Sequence, residues 1–202
     1  MRGASRRVVV GVSGASGAIY GVRLLEVLHE RRDIELHAIV SGGAKATIEF
    51  ETDRAVAEVL KLADVIYDET DLAASLASGS FLTAGMAVAP CSMKTAGSLA
   101  SSIDDNLIVR AADVHLKERR RLVLVVREAP LNANHLRVFS ELTAAGAVIL
   151  PAAPGFYHRP KTIGDLVDHV VGKTLDQLGV EHELFRRWTG PGLPRERRSS
   201  DD

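Results

Sequence analysis

The chain has 202 residues, one domain's worth at roughly 150 residues per domain, and its 25 Lys+Arg against 26 Asp+Glu leave a formal net charge of −1. That balance excludes the dense basic field of a nucleic-acid or anionic-membrane binder, while 46% hydrophobic and 25% charged residues exclude bulk disorder. A single cysteine, Cys91, excludes an intramolecular disulfide framework and any multi-cysteine metal site, and suits a reducing compartment.

Arg6 and Arg7 precede three valines, but the run Ser13-Gly14-Ala15-Ser16-Gly17 ends that apolar stretch after about five residues, too few for a signal-peptide core. No run approaches the roughly 18 apolar residues of a membrane helix. The stretch reads as a first strand and the protein as cytoplasmic.

Short β-branched runs then alternate with longer helical patterns, the mark of βαβ units and a mostly parallel sheet. Strands are expected over 8–12, 34–40, 86–89, 122–126 and 147–150. All but 34–40 are nearly all apolar, as strands covered on both faces must be. Glu35 and His37 place 34–40 near an edge. Ala18, Gly21, Val22, Leu25 and Leu28 define one helical face. Further helices are expected over 44–50, 53–62, 71–77, 95–100, 105–117, 132–145 and 163–178, with Gly146 and Gly179 as terminal caps. The pattern predicts an α/β fold with a mostly parallel, doubly wound sheet. A single domain spans 1–189, and the charged residues 190–202 are expected to form a disordered tail.

In such a sheet ligands bind beyond the carboxyl ends of the strands, near the reversal of strand order. After the first strand comes Gly11-Val12-Ser13-Gly14-Ala15-Ser16-Gly17-Ala18, small residues leading into a helix whose N–H groups and dipole favour an anion. Its G-x-x-G-x-x-G spacing is neither the dinucleotide nor the triphosphate fingerprint; tight turn packing is the alternative reading. The second strand ends in Val40-Ser41-Gly42-Gly43, without the acidic residue that holds an NAD ribose. A mononucleotide phosphate therefore fits better than a dinucleotide.

Pro90-Cys91-Ser92-Met93-Lys94-Thr95 puts small donors at another helix start, where Ser92 or Thr95 could equally be a cap. Cys91 reads as apolar filler. Arg127-Glu128 sets a cation beside a carboxylate where a buried strand surfaces, a catalytic or phosphate-binding pair in preference to a weak surface ion pair. The stiff loop from Pro151 to Pro160 carries Phe156, Tyr157 and His158 and suits a wall against a planar ligand, with plain packing as the alternative. Arg110 and Lys117 lie two turns apart on one helical face, within reach of one anion unless they are only a solvated helix end. His, Asp and Glu nowhere recur at metal-ligand spacing.

Taken together, GVSGASGAIYGVRLL, FETD, SGSF, PCSMKT, RAADVHLKERRRLVLVVREAPL, GAVILPAAPGFYHRP and the terminal RRW closely resemble the UbiX-type flavin prenyltransferases, from about Arg7 to Trp188. The resemblance implies a flavodoxin-like/Rossmann-like three-layer sandwich and a metal-independent enzyme. It would join a dimethylallyl group from dimethylallyl monophosphate to reduced FMN and pass prenylated FMN to a partner UbiD-type decarboxylase. It also implies a homo-oligomer, a dodecamer in relatives, with sites at subunit contacts. By the resemblance, Gly14, Ala15, Ser16, Ser41, Ser92, Met93, Lys94, Thr95 and Arg127 bind FMN. Tyr157 and Lys173 hold the prenyl phosphate, with Arg110 and Lys117 nearby. Glu51, Glu128 and Ser16 fall near the reacting centre, and Lys117 joins them as a cation on the leaving group. Lys173 stands where an arginine is common, and Gly42 where a lysine is frequent. Two other readings compete: an FMN-dependent decarboxylase of cysteine derivatives, which relies on a histidine and an Asn-containing proline loop, and a non-enzymatic FMN carrier.

Overall fold

The structure is a computed structural model that describes residues 6–188 and 190. Six strands form one parallel sheet: β1 (Arg6–Val12), β2 (Ile34–Val40), β3 (Val65–Tyr67), β4 (Gly85–Cys91), β5 (Arg121–Val126) and β6 (Val148–Pro151). Their order is β3-β2-β1-β4-β5-β6. The chain thus winds outward to one side of β1 through β2 and β3, then returns to build β4, β5 and β6 on the other. The strand order reverses between β1 and β4, which is where a doubly wound sheet opens a ligand crevice.

Successive side chains of a strand point to opposite faces, so valine-rich runs supply two cores at once. Val8, Val10 and Val12 pack with Leu36, Ala38, Ala87 and Val123 beneath α1 (Ala18–His29), α2 (Gly42–Glu51), α3 (Val56–Leu60) and α7 (Ile163–Leu178). Val9, Ile39, Met86 and Leu122 pack on the other face beneath α4 (Met93–Ala100), α5 (Leu107–Lys117) and α6 (Ala133–Ala145). Each such side chain, fully buried, contributes roughly 1.5–3 kcal/mol. The result is a three-layer sandwich.

The strand at 34–40 and the helix at 163–178 have the expected bounds. Gly146 (φ +109°) and Gly179 (φ +67°) end α6 and α7 in the left-handed conformation, as expected of terminal glycines. Two local expectations are corrected. Residues 71–77 form no α-helix, only a short 3-10 turn over Ser75–Ala77. There Asp68 accepts the N–H of Thr70 and Asp71 that of Ala73, so side chains take backbone donors that a helix would need. The helix expected over 53–62 shrinks to Val56–Leu60. The strand at 34–40 does lie near an edge, one in from it: the unanticipated β3 is the outermost strand and buries His37, whose Nδ1 is 3.0 Å from the Tyr67 hydroxyl. Except for Gly190, the tail expected over 190–202 lies outside the described residues.

Candidate functional site

The strand-tip loops are tied together by backbone and hydroxyl contacts at the switch point. Ser13, 3% exposed, donates its hydroxyl to the carbonyl of Pro90 (2.9 Å) and accepts the N–H of Ser92 (2.8 Å). The N–H of Ser41 donates to Val12 (3.0 Å), bringing the loop after β2 alongside. Gly14 then faces Gly43 so closely that a Cβ on Gly14 would lie 2.9 Å from Gly43 backbone atoms. Only glycine permits that approach. Arg127, at the tip of β5, donates Nε to the carbonyl of Ser16 (3.0 Å). The loops that carry Gly14, Ala15, Ser16, Ser41, Ser92 and Arg127 therefore meet at one place on the strand tips.

The helix start read as a phosphate cradle has an occupant. Glu51, the last residue of α2, accepts the N–H groups of Gly17 (2.7 Å) and Ala18 (3.0 Å). Burial pushes its carboxyl up, but the Gly17 N–H, the Ser16 hydroxyl, the Ala18 N–H and the Arg127 charge outweigh this and hold it below the ordinary carboxylate value. In the same place burial raises the Tyr20 phenol, with Arg127 opposing. Glu69, which no sequence motif singles out, accepts the N–H of Gly42 at 2.6 Å and so occupies the start of α2.

Beside these, Ser92 caps α4 by accepting the N–H of Thr95 (3.2 Å), and Ser41 caps α2 by accepting that of Ala44 (3.1 Å). Met93 packs against the core, Thr95 is buried, and Lys94 pairs with Asp105. Cys91 is buried filler, its thiol pushed up to about 12 by burial. Arg127 and Glu128 do not pair. Arg127 turns to Ser16, whereas exposed Glu128 accepts only the N–H of Ala129 (3.2 Å) among the described residues.

The residues expected to hold the prenyl phosphate fall in two other places. Tyr157 packs edge-on against His158, His169 and Trp188, with ring centroids 5.5–5.9 Å apart. Tyr157, His158, Arg159, Arg186, Arg187 and Trp188 line a cavity of about 260 Å³. Lys173 lies one turn beyond His169 on α7, 3.5 Å from Asp176. On α5, Arg110 binds Asp104 (2.9 Å), Asp113 (3.5 Å) and the carbonyl of Ala77 (3.2 Å). Lys117 ends that helix roughly 10 Å further along. It binds Glu118 and lines a depression between α4, α5 and α6, at the edge of the sheet where β5 begins. Within one chain, then, Arg110 and Lys117 do not converge on one anion. Lys117 faces away from the strand tips.

A doubly wound sheet whose glycine- and serine-rich tips meet at the switch point defines a mononucleotide-binding protein of the Rossmann type. The Flavoprotein family model matches residues 2–175. A flavin prenyltransferase UbiX of Thauera aromatica is 53% identical over 184 residues, 91% of this chain and 94% of that protein. Among solved structures, AnUbiX (PadA1) in complex with FMN and dimethylallyl pyrophosphate aligns with a TM-score of 0.90 at 48% identity, covering 92% of this chain and 98% of that one. A dodecameric FMN-dependent UbiX-like decarboxylase from Escherichia coli O157:H7 aligns with a TM-score of 0.89 at 47% identity, covering 91% and 100%. The chain belongs to the Flavoprotein family, in its branch of UbiX-type flavin prenyltransferases.

Proposed function

We propose that the chain joins a dimethylallyl group from dimethylallyl monophosphate to N5 and C6 of reduced FMN, and that prenylated FMN then serves a partner UbiD-type decarboxylase. The observation that carries this reading is the meeting of the loops that carry Gly14, Ser16, Ser41, Ser92 and Arg127, with no space for a side chain between Gly14 and Gly43. Backbone so exposed suits close approach of a phosphorylated flavin, and Gly14, Ala15, Ser16, Ser41, Ser92, Met93, Lys94, Thr95 and Arg127 would hold it. Reduced FMN, when bound, supplies the nucleophilic ring atoms.

The rest is work for side chains. Breaking an allylic C–O bond leaves a cation and a phosphate, so cations around the departing oxygens lower the barrier. Lys173, Lys117 and Arg110, with the Tyr157 hydroxyl, take that part. Since one chain keeps Lys117 and Arg110 apart from Tyr157, a second copy supplies them, which calls for a homo-oligomer, here a dodecamer. Tyr157 and Trp188, 45% and 64% exposed in one chain, offer an aromatic wall that a second copy would close to keep water from the allylic cation. Glu51 already accepts the first N–H groups of α1, which argues against phosphate at that helix start and leaves it, with the Ser16 hydroxyl, as a group near the reacting centre. Glu128 carries one of the two proton transfers, removal at C6 or supply to the phosphate. Cytoplasmic placement fits a buried free thiol, and among the described residues no helix is long and apolar enough to cross a membrane.

Four of the seven histidines weigh against the cysteine-derivative decarboxylase. His29 binds the carbonyl of Leu62, His37 lies under β3, His115 binds Thr83, and His135 caps α6. None of the four lies on the strand-tip loops. The test is anaerobic incubation of protein, reduced FMN and dimethylallyl monophosphate followed by mass spectrometry of the flavin. A gain of one five-carbon unit is expected. Unchanged FMN rejects the reading, and binding without turnover marks a carrier.

A further inference from the structure

On the outer side of α7, a segment of the chain crosses back over the helix and ends on Tyr157. Its seat is Gly172, where a Cβ would lie 2.5 Å from both His182 Cε1 and Phe185 Cε1. Its anchor is Asp176, one turn further along. Arg187 donates to both carboxylate oxygens (2.8 and 3.2 Å), a two-point fork. His182, whose Nδ1 accepts the N–H of Leu184 (3.2 Å), presents its Nε2 to the same carboxylate at 3.1 Å. The proton then belongs on Nε2, as donor. Between seat and anchor runs a ladder of rings: His182 against Phe185 (5.3 Å), Phe185 against His169 (4.7 Å), His169 against Tyr157 (5.7 Å), and Tyr157 against Trp188 (5.9 Å). His169 also accepts the N–H of Gly155 (3.3 Å), fixing the loop that carries Tyr157.

The geometry points to Asp176 as a positioning residue for the prenyl-phosphate end of the site: through Arg187 and His182 it pins the strap of residues 182–188, and the strap holds Trp188 against Tyr157. This rests on the function proposed above only for its kinetic arm. Asp176 stands 20% exposed and meets three basic side chains, Arg187, His182 and Lys173. Burial raises its carboxyl, and Arg187, His182 and Lys173 more than reverse that. Lys173, at 3.5 Å, is the loosest of the three and is left available to phosphate, while Arg187 saturates the carboxylate. No FMN contact is assigned to any part of the strap, so its release separates donor binding from flavin binding.

Trp188 is the only tryptophan in the chain, which makes its fluorescence a reporter of the strap alone. Trp188 is already 64% exposed, so its mobility is the readout: in flavin-free protein, Asp176→Asn should lower its fluorescence anisotropy and shorten its rotational correlation time. Arg187 is 53% exposed, so Arg187→Met puts folding at little risk and should reproduce both changes. In turnover assays each variant should raise the KM for dimethylallyl monophosphate about tenfold while FMN affinity stays within twofold, and the double variant should be no worse than either single one. Unchanged Trp188 anisotropy in both variants overturns the proposal. So does a KM rise in Asp176→Asn that Arg187→Met does not share, which would route the effect through Lys173. A wild-type protein that fails to prenylate FMN sinks the functional reading instead, and the fluorescence arm still decides whether Asp176 pins the strap.

Discussion

Glu51 accepts the backbone N–H of Gly17 at 2.7 Å, so a carboxylate from the end of α2 closes the N-terminus of α1. That terminus has no side-chain cap of its own, because its N-cap residue is Gly17. Glu51→Gln should therefore cost about 1 kcal/mol of stability at neutral pH, the scale of a lost cap with its dipole interaction. The folded carboxyl titrates below its ordinary 4.5, so this stabilisation is complete above that value and lost as pH falls through the lower one. Denaturant midpoints of the two proteins should differ at pH 7 and merge in acid. Equal midpoints at pH 7 would remove Glu51 from the capping role.

Gly14→Ala forces a methyl group against Gly43 backbone, which cannot yield as a flexible side chain would. FMN affinity should fall at least tenfold, roughly 1.4 kcal/mol. Titration of apo-protein with FMN measures it, and undiminished affinity would show that these turns are not the flavin site.

Glu128 is exposed and, among the described residues, hydrogen-bonds only the N–H of Ala129. Glu128→Gln should accordingly keep FMN affinity within about twofold yet slow prenylation by on the order of 10²–10⁴, the range of a lost general acid or base. Single-turnover assays give the number. Wild-type rates would exclude Glu128 from proton transfer.

Tyr157→Phe keeps the ring in its edge-on contacts with His169 and Trp188 and removes only the hydroxyl. The donor's KM should rise about tenfold, the scale of one hydrogen bond to a charged group, with FMN affinity unaltered. Parallel loss of both would mean that Tyr157 only packs.

Acid should also destabilise the fold through His115. Its Nδ1 donates to the carbonyl of Ala111 (2.7 Å) and its Nε2 accepts the Thr83 hydroxyl (2.8 Å), so the neutral ring is fully satisfied. Burial drives its pKa down to about 4, with Arg120 adding to the shift and Ala111 opposing it. The unfolded chain takes up the proton first, so stability is present above pH 6.5 and falls as pH drops from there toward 4, by an amount on the order of 3 kcal/mol at most. His115→Gln should flatten that limb of a stability-versus-pH curve. An unchanged limb would assign it to other groups.

The wound sheet was legible because its strands are continuous apolar runs and its helices carry one apolar face. β3 was not, since Val65-Ile66-Tyr67 is three residues long and, among the described residues, pairs only with β2. The failed helix at 71–77 shows local hydrogen bonding by Asp68 and Asp71 defeating an apolar pattern too short to propagate. At the site, turns next to strands could be read as ligand loops from position alone. What filled them could not, because Glu51 reaches Gly17 across 34 positions and Glu69 reaches Gly42 across 27, contacts that only tertiary structure creates. The separation of Lys117 from Tyr157 was equally hidden, for helical spacing describes one element and not its placement against another.

The contact between Gly14 and Gly43 also fixes the spacing of two loops. The turns interlock like teeth of one gear, so a bulkier residue or an insertion in either demands a matching retreat in the other, and a ligand seated beside them inherits whatever spacing that pair allows.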